Sequence, residues 1–226
     1  MATKNSINNI SSPIASTAVT VDPGAAGDSY IQLNINTGAE FRFGVDDTDD
    51  SFRIAQGSAL GTTDTFVMSD AGERTMPLQP AFLAYLPSDD NNRTGAGGAY
   101  IIGTNVALTE VYDQNSDFNT NGTFTAPQIG RYLLYGSVKV DGITAAMVSG
   151  ASLFITSNRH YWAGWRDAGA MRTPADAGSW FIETIADMDA ADTATFNILL
   201  GGDADTVDIL GQATDPITYF CGYLIV

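Results

Sequence analysis

The chain has 226 residues, 44% of them hydrophobic and 10% aromatic, a folding composition long enough for one large or two modest domains. Twenty-six acidic residues against ten lysines and arginines leave a formal charge of −16. Such a surface repels phosphate backbones and anionic lipid, which argues against nucleic-acid binding and membrane insertion, and the lone Cys221 excludes a disulfide within the chain.

Residues 1–27 are small and polar, with Pro13 and Pro23, and read as a flexible or extended arm. The opening lacks the apolar core of a secretion signal, and no apolar run reaches transmembrane length. The expectation is a soluble protein made in a cytoplasm. From Asp28 the pattern alternates at period two. Ile31, Leu33 and Ile35 share a face. After the turn at 36–38, Phe41, Phe43 and Val45 share the next, followed by Phe52 with Ile54 and Phe66 with Met68. This predicts a small β domain over 28–75, too small to be comfortable alone. Its acidic run Asp46, Asp47, Asp49 and Asp50 could offer oxygen ligands to calcium, although the spacing is not that of an EF-hand. A solvated loop is the simpler expectation, so no cofactor is expected.

Beyond a break at 69–80, residues 76–226 carry strand-like segments at 81–86, 99–103, 106–112, 122–126, 131–140, 151–157, 179–185, 194–200, 205–210 and 218–226. Helical periodicity is almost absent. Short strands at this spacing predict an all-β sandwich or jelly roll. Two strands present a puzzle. In 131–140, Tyr132, Leu134, Gly136, Val138 and Val140 point one way, yet Leu133 and Tyr135 on the opposite side are also apolar. In 218–226, Tyr219, Cys221, Tyr223 and Ile225 oppose Phe220, Leu224 and Val226. One core covers one face. With hardly any helix to cover the other, an intersubunit surface is the favoured explanation over a further layer of the same chain. Tyr132, Leu133, Leu134, Tyr135, Tyr219, Tyr223 and Ile225 are its candidates.

These residues carry a resemblance. "QPAFLAYL", "DFNTNGTFTAPQIGRYLLYGSV", "ASLFITSN" and "TYFCGYLIV" resemble successive blocks of the C1q/tumour-necrosis-factor-like jelly roll, with Phe118, Asn119, Gly122, Phe124, Pro127, Gly130 and Tyr132 at the central family positions. Phe220, Gly222, Tyr223 and Leu224 match the closing strand. The chain departs from the family before a late strand, where Ala191 replaces a glycine beside Asp192, and no collagen-like stalk precedes the domain. The resemblance implies a ten-stranded jelly roll that assembles as a homotrimer. A second resemblance, over 27–72, is to segments of bacteriophage tail-fibre and virion-appendage proteins. Together they imply a trimeric virion protein whose arm joins other virion proteins and whose head binds a glycan or protein on the host surface.

The stretch 157–172 gathers Arg159, His160, Tyr161, Trp162, Trp165, Arg166 and Arg172 between strands without clean periodicity. Indole faces stack on sugars and arginines pair with carboxylate or sulfate, so Arg159, His160, Tyr161, Trp162, Trp165 and Arg166 are candidate ligand contacts on a loop. The competing expectation is that Tyr161, Trp162 and Trp165 are buried in the core or the subunit seam. His160 is the sole histidine, and no Walker loop, dinucleotide fingerprint or G-x-S-x-G occurs. No catalytic residue is named and the protein is expected not to be an enzyme. The alternatives to a virion attachment protein are a bacterial C1q-like lectin or surface protein and, from another class, a small polysaccharide depolymerase.

Overall fold

The computed structural model describes residues 21, 23, 24, 26–34 and 38–226. The expected arm falls almost wholly outside these described residues, as does Ile35. The chain divides into two compact units, Met1–Pro77 and Leu78–Val226. Among the described residues the one α-helix has four residues, and none is long and apolar enough to cross a membrane.

The first unit is an antiparallel sheet in sequence order: β1 (Ser29–Asn34), β2 (Glu40–Asp46), β3 (Ser51–Gln56), β4 (Asp64–Met68) and β5 (Arg74–Thr75). The β2–β3 turn is built by its own side chains. Asp46 accepts from the Thr48 amide at 2.9 Å, Asp49 accepts from the Ser51 hydroxyl at 2.6 Å, and Asp50 takes a left-handed φ of 56°. Two carboxylates of this acidic stretch, joined by Asp64 of β4, converge on a cation of the chain itself. Arg53 pairs with Asp46 at 3.1 Å, with Asp49 at 2.6 Å and with Asp64.

The second unit continues with β6 (Ala81–Tyr85), β7 (Asp90–Thr94), β8 (Ala99–Ile101), β9 (Thr109–Asp113), β10 (Phe118–Asn119), β11 (Thr123–Thr125) and β12 (Gly130–Asp141). It then runs through β13 (Ser149–Thr156), β14 (His160–Arg166), α1 (Ala168–Met171), β15 (Gly178–Met188), β16 (Thr193–Gly201), β17 (Val207–Ile209) and β18 (Tyr219–Leu224). A front sheet has the order β7-β17-β12-β18-β6-β9, with β15 on the far side of β12. A back sheet has the order β10-β11-β16-β13-β14, with β8 also on β16. The chain alternates between sheets rather than completing one before the other, and every pairing is antiparallel. The second unit is thus an all-antiparallel two-sheet sandwich of jelly-roll type, and the first a small β domain.

The core between the sheets is aromatic. Phe82 stacks on Phe118 at 4.6 Å and on Phe124 at 4.9 Å, and meets Phe220 edge-on at 4.8 Å. Tyr132 and Leu134 belong to this core. Both are fully buried within their own chain, and the Tyr132 hydroxyl donates to the Gln128 carbonyl at 2.7 Å. Their place among the expected subunit contacts is therefore corrected. The inward face of β12 serves the chain's own sandwich, leaving only the outward residues for a partner.

Candidate functional site

Outside the core, two features of the head stand open. The first is the outward face of the front sheet. Register places Leu133 beside Ile185 and Tyr223, and Tyr135 beside Cys221, which lies beside Leu83. One row further, Ser137, Tyr219 and Tyr85 align. Apart from Glu183 opposite Tyr135, these rows carry no charge. Leu133, Tyr135 and Tyr219 are half-buried, while Tyr223 and Ile225 are exposed. The Tyr135 and Tyr219 rings stack at 5.6 Å with 25° between planes. The neighbouring Tyr135 hydroxyl and partial burial push the Tyr219 phenol up to about 12. Burial raises the Cys221 thiol. A depression of about 320 Å³ opens among Leu83, Tyr85, Val111, Pro216 and Tyr219.

The second feature lies along β14, the outermost strand of the back sheet. The stretch expected as a loop is a strand, and a β-bulge hid its alternation. Ser152 pairs with Ala163 but Gly150 pairs with Arg166, so Gly164 and Trp165 together oppose Ala151. Gly164 has a φ of +65°, the backbone of a glycine-type bulge. In an unbroken strand Trp162 and Trp165 would point to opposite faces. The extra residue turns them to the same side. Their rings meet at 5.4 Å and 76°, and they are 49% and 60% exposed. His160 adds a third ring, 6.4 Å from Trp162.

The bulge is held from beneath. Trp180, buried, donates its indole N–H to the Gly164 carbonyl at 3.2 Å. A Cβ on residue 164 would stand 3.0 Å from the Trp180 ring. Beside it opens a groove of about 290 Å³, whose walls include Ala163, Arg166, Met171 and the Gly178–Phe181 stretch. Among the described residues no side chain or carbonyl pairs with the guanidinium of Arg166, nor with that of Arg159. Arg172, by contrast, pairs with Asp176 at 2.8 Å.

The candidate ligand residues are thus divided. His160, Trp162 and Trp165 form an exposed ledge, with Arg166 at the adjoining groove. Tyr161 turns inward and packs against the core, which corrects its place among the ligand contacts. Arg159 stands at the β13–β14 turn, at the opposite end of the strand from Arg166. Two residues not singled out from sequence complete the groove. Met171 comes from α1, whose N-cap Asp167 accepts from the Ala170 amide. Phe181, 65% exposed on β15, looked like an ordinary strand residue.

No family model and no curated protein matches the chain. Among solved structures it is similar to murine APRIL, at 11% identity and a TM-score of 0.43, covering 65% of this chain and 99% of that one. It is similar to the globular domain of zebrafish complement 1qA, at 12% identity and a TM-score of 0.42, over 66% and 98% of the two chains. A third likeness is to the PRD1 vertex protein P5, at 9% identity and a TM-score of 0.47, over 75% and 86%. These likenesses are of fold.

Proposed function

We propose that the protein is a non-enzymatic, homotrimeric appendage of a virion that attaches to a carbohydrate on the host surface. The observation that carries the binding role is the bulge at Gly164. It aims two exposed indoles to one side, next to an open groove and an arginine that no described residue pairs with. A strand at the edge of a sandwich has no structural need for two solvent-facing tryptophans. Indole faces suit the apolar faces of sugar rings, and a guanidinium at an open groove of a domain dominated by carboxylates suits a uronate, sialate or sulfate group.

Self-association is supported by the front sheet, whose outward rows are aromatic and nearly uncharged. Packing of this face between copies would bury Leu133, Tyr135, Tyr219 and Tyr223, at about 25 cal/mol per Å² of apolar surface. The placement on a virion rests on the resemblance of residues 27–72 to appendage segments, with the arm as the attachment to other virion proteins.

The test is a titration of the full chain with acidic and neutral bacterial surface oligosaccharides, followed by tryptophan fluorescence. Saturable binding to an acidic glycan, lost in Trp165→Ala and weakened in Arg166→Gln with the fold intact, is the expected result. Binding that survives the double change at Trp162 and Trp165, or no binding across the panel, overturns the ligand assignment. Light scattering should give three times the 23.9 kDa chain mass, and depolymerised glycan after mixing would replace attachment with catalysis.

A further inference from the structure

The sheet of the first unit is covered on the wrong side. Antiparallel register places Ile31 beside Phe43, Phe43 beside Ile54, and Ile54 beside Phe66. In the flanking rows Leu33 pairs with Phe41, and Val45 pairs with Phe52, which pairs with Met68. All nine side chains share one face, and none of them is buried. Leu33 is 58% exposed. The opposite face carries Arg42, Arg53 and Asp46, and that is the face the unit's own loop covers, whereas on the apolar face Val21 borders a shallow depression with Ile31, Phe43, Val45 and Phe52. Its loop at 57–63 lies across the charged side, with Leu60 and Ala55 buried and the Gly61 amide donating to Asp64 at 3.0 Å.

Folding normally hides apolar surface and leaves charge to water. Here the local contacts do the reverse. Four strands about 4.8 Å apart and five residues of about 3.4 Å rise make an apolar face on the order of 300 Å² in plan. A contiguous patch of that size marks an interaction surface.

We propose that this face is a second self-association surface, packed in the oligomer against the same face of neighbouring copies. Charge selects the occupant. Copies carrying −16 each repel one another over most of their surface, but not across nine uncharged side chains. A basic partner, which the rest of the chain would attract, finds nothing to pair with there. Around a threefold axis, three such faces turned inward would close one apolar core shared between the copies. The patch is too small to hold free chains together, since a stable interface buries at least about 1,000 Å² in total. It works where the chains are already joined, at raised local concentration. The inference therefore rests on the oligomeric reading of the head.

The test uses the full chain as wild type, Ile54→Glu at the centre of the face, Leu33→Glu on the exposed edge strand, and Thr75→Glu as a control away from it. Leu33→Glu replaces a side chain already mostly in water and keeps the test open if Ile54→Glu fails to fold. Mass is followed on dilution by light scattering, and exposed apolar surface by anilinonaphthalene sulfonate fluorescence. The expected result is an oligomeric wild type with weak dye binding. Leu33→Glu and Ile54→Glu should dissociate at a concentration at least about tenfold higher and bind dye, with Thr75→Glu unchanged. If both face variants dissociate like wild type, this proposal falls and the head interface stands. A wild type that is monomeric at every concentration overturns the head reading and this one with it. If deleting residues 1–26 raises dye binding without changing the mass, the cover is the chain's own beginning, and self-association through this face is wrong.

Discussion

Gly136 of β12 lies directly under the ring of Phe196 on the opposite sheet, so close that a Cβ at 136 would stand 2.5 Å from two ring carbons. Phe196 in turn packs against Phe154 at 5.5 Å and Phe220 at 6.1 Å, so the ring cannot swing away without moving two others. Cores at crystal-like density yield little to added volume. Gly136→Ala should destabilise the head by about 1–3 kcal/mol, and Gly136→Val by more. Urea unfolding followed by near-ultraviolet circular dichroism measures this. An unchanged midpoint for the valine variant would show that the two sheets are not in contact at this layer.

Asp90 is a carboxylate with almost no solvent access and a full set of donors. Arg93 reaches it at 2.6 Å, the Tyr100 hydroxyl at 2.7 Å and the Asn105 amide at 2.8 Å. Burial and the hydrogen bond to Asp90 both hold the Tyr100 phenol well above its ordinary range. Removing the acceptor strands the hydroxyl and the amide away from water. Asp90→Ala should cost about 3 kcal/mol. Asp90→Asn, which keeps one acceptor oxygen, should recover part of that loss in the same unfolding measurement. Equal losses for both would mean that charge, not acceptor geometry, holds the cluster.

This hub also shows why part of the fold was not legible in sequence. β7 reads Asp-Asn-Asn-Arg-Thr, with no apolar alternation. Among the described residues it pairs through the short β17 alone, and its stability comes from polar contacts that no local pattern reveals. β14 was missed for the opposite reason: its residues are strand formers, but the bulge at Gly164 breaks the period of two on which recognition depends. The long strands β12, β15, β16 and β18 were legible because one face of each meets a large core. In β12 the sequence also separated the two faces correctly, with Tyr132 and Leu134 apart from Leu133 and Tyr135. What sequence could not say was which face belonged to the chain itself. The ledge was half legible: tryptophan and arginine content pointed to 157–172, while Phe181 and Met171 join it only through the meeting of β14, β15 and α1.

The Tyr135–Tyr219 pair makes the front face sensitive to alkali. A phenol held near 12 when folded and near its ordinary 10 when unfolded keeps its proton more tightly in the native state. The stability it contributes is complete below pH 10 and is lost as pH rises through about 12. Tyrosinate absorbance should therefore show, in the difference between wild type and Tyr219→Phe, a step near 12. Tyr135→Phe removes the hydroxyl that raises the Tyr219 phenol, so in that background the step should move down toward 10. A wild-type step already at the ordinary value would mean that the two hydroxyls do not interact.

Ala191, a residue with a Cβ, has a left-handed φ of +70°. The turn imposes this conformation from both sides. The Ala191 amide donates to the Ala126 carbonyl at 2.8 Å, and the Asp192 carboxylate accepts from the Asp189 amide at 2.9 Å. An L-residue in the left-handed region costs roughly 1–2 kcal/mol, chiefly from Cβ against the following carbonyl. Glycine avoids that clash but loses more backbone entropy on folding, which offsets part of the gain. Ala191→Gly should therefore stabilise the head by about 0.5–1 kcal/mol, seen as a higher urea midpoint with an unchanged slope. Ala191→Val should destabilise it, because a β-branched side chain tolerates this φ poorly. If the glycine variant were instead less stable, the turn would not require a left-handed residue, and alanine at this position would carry no strain.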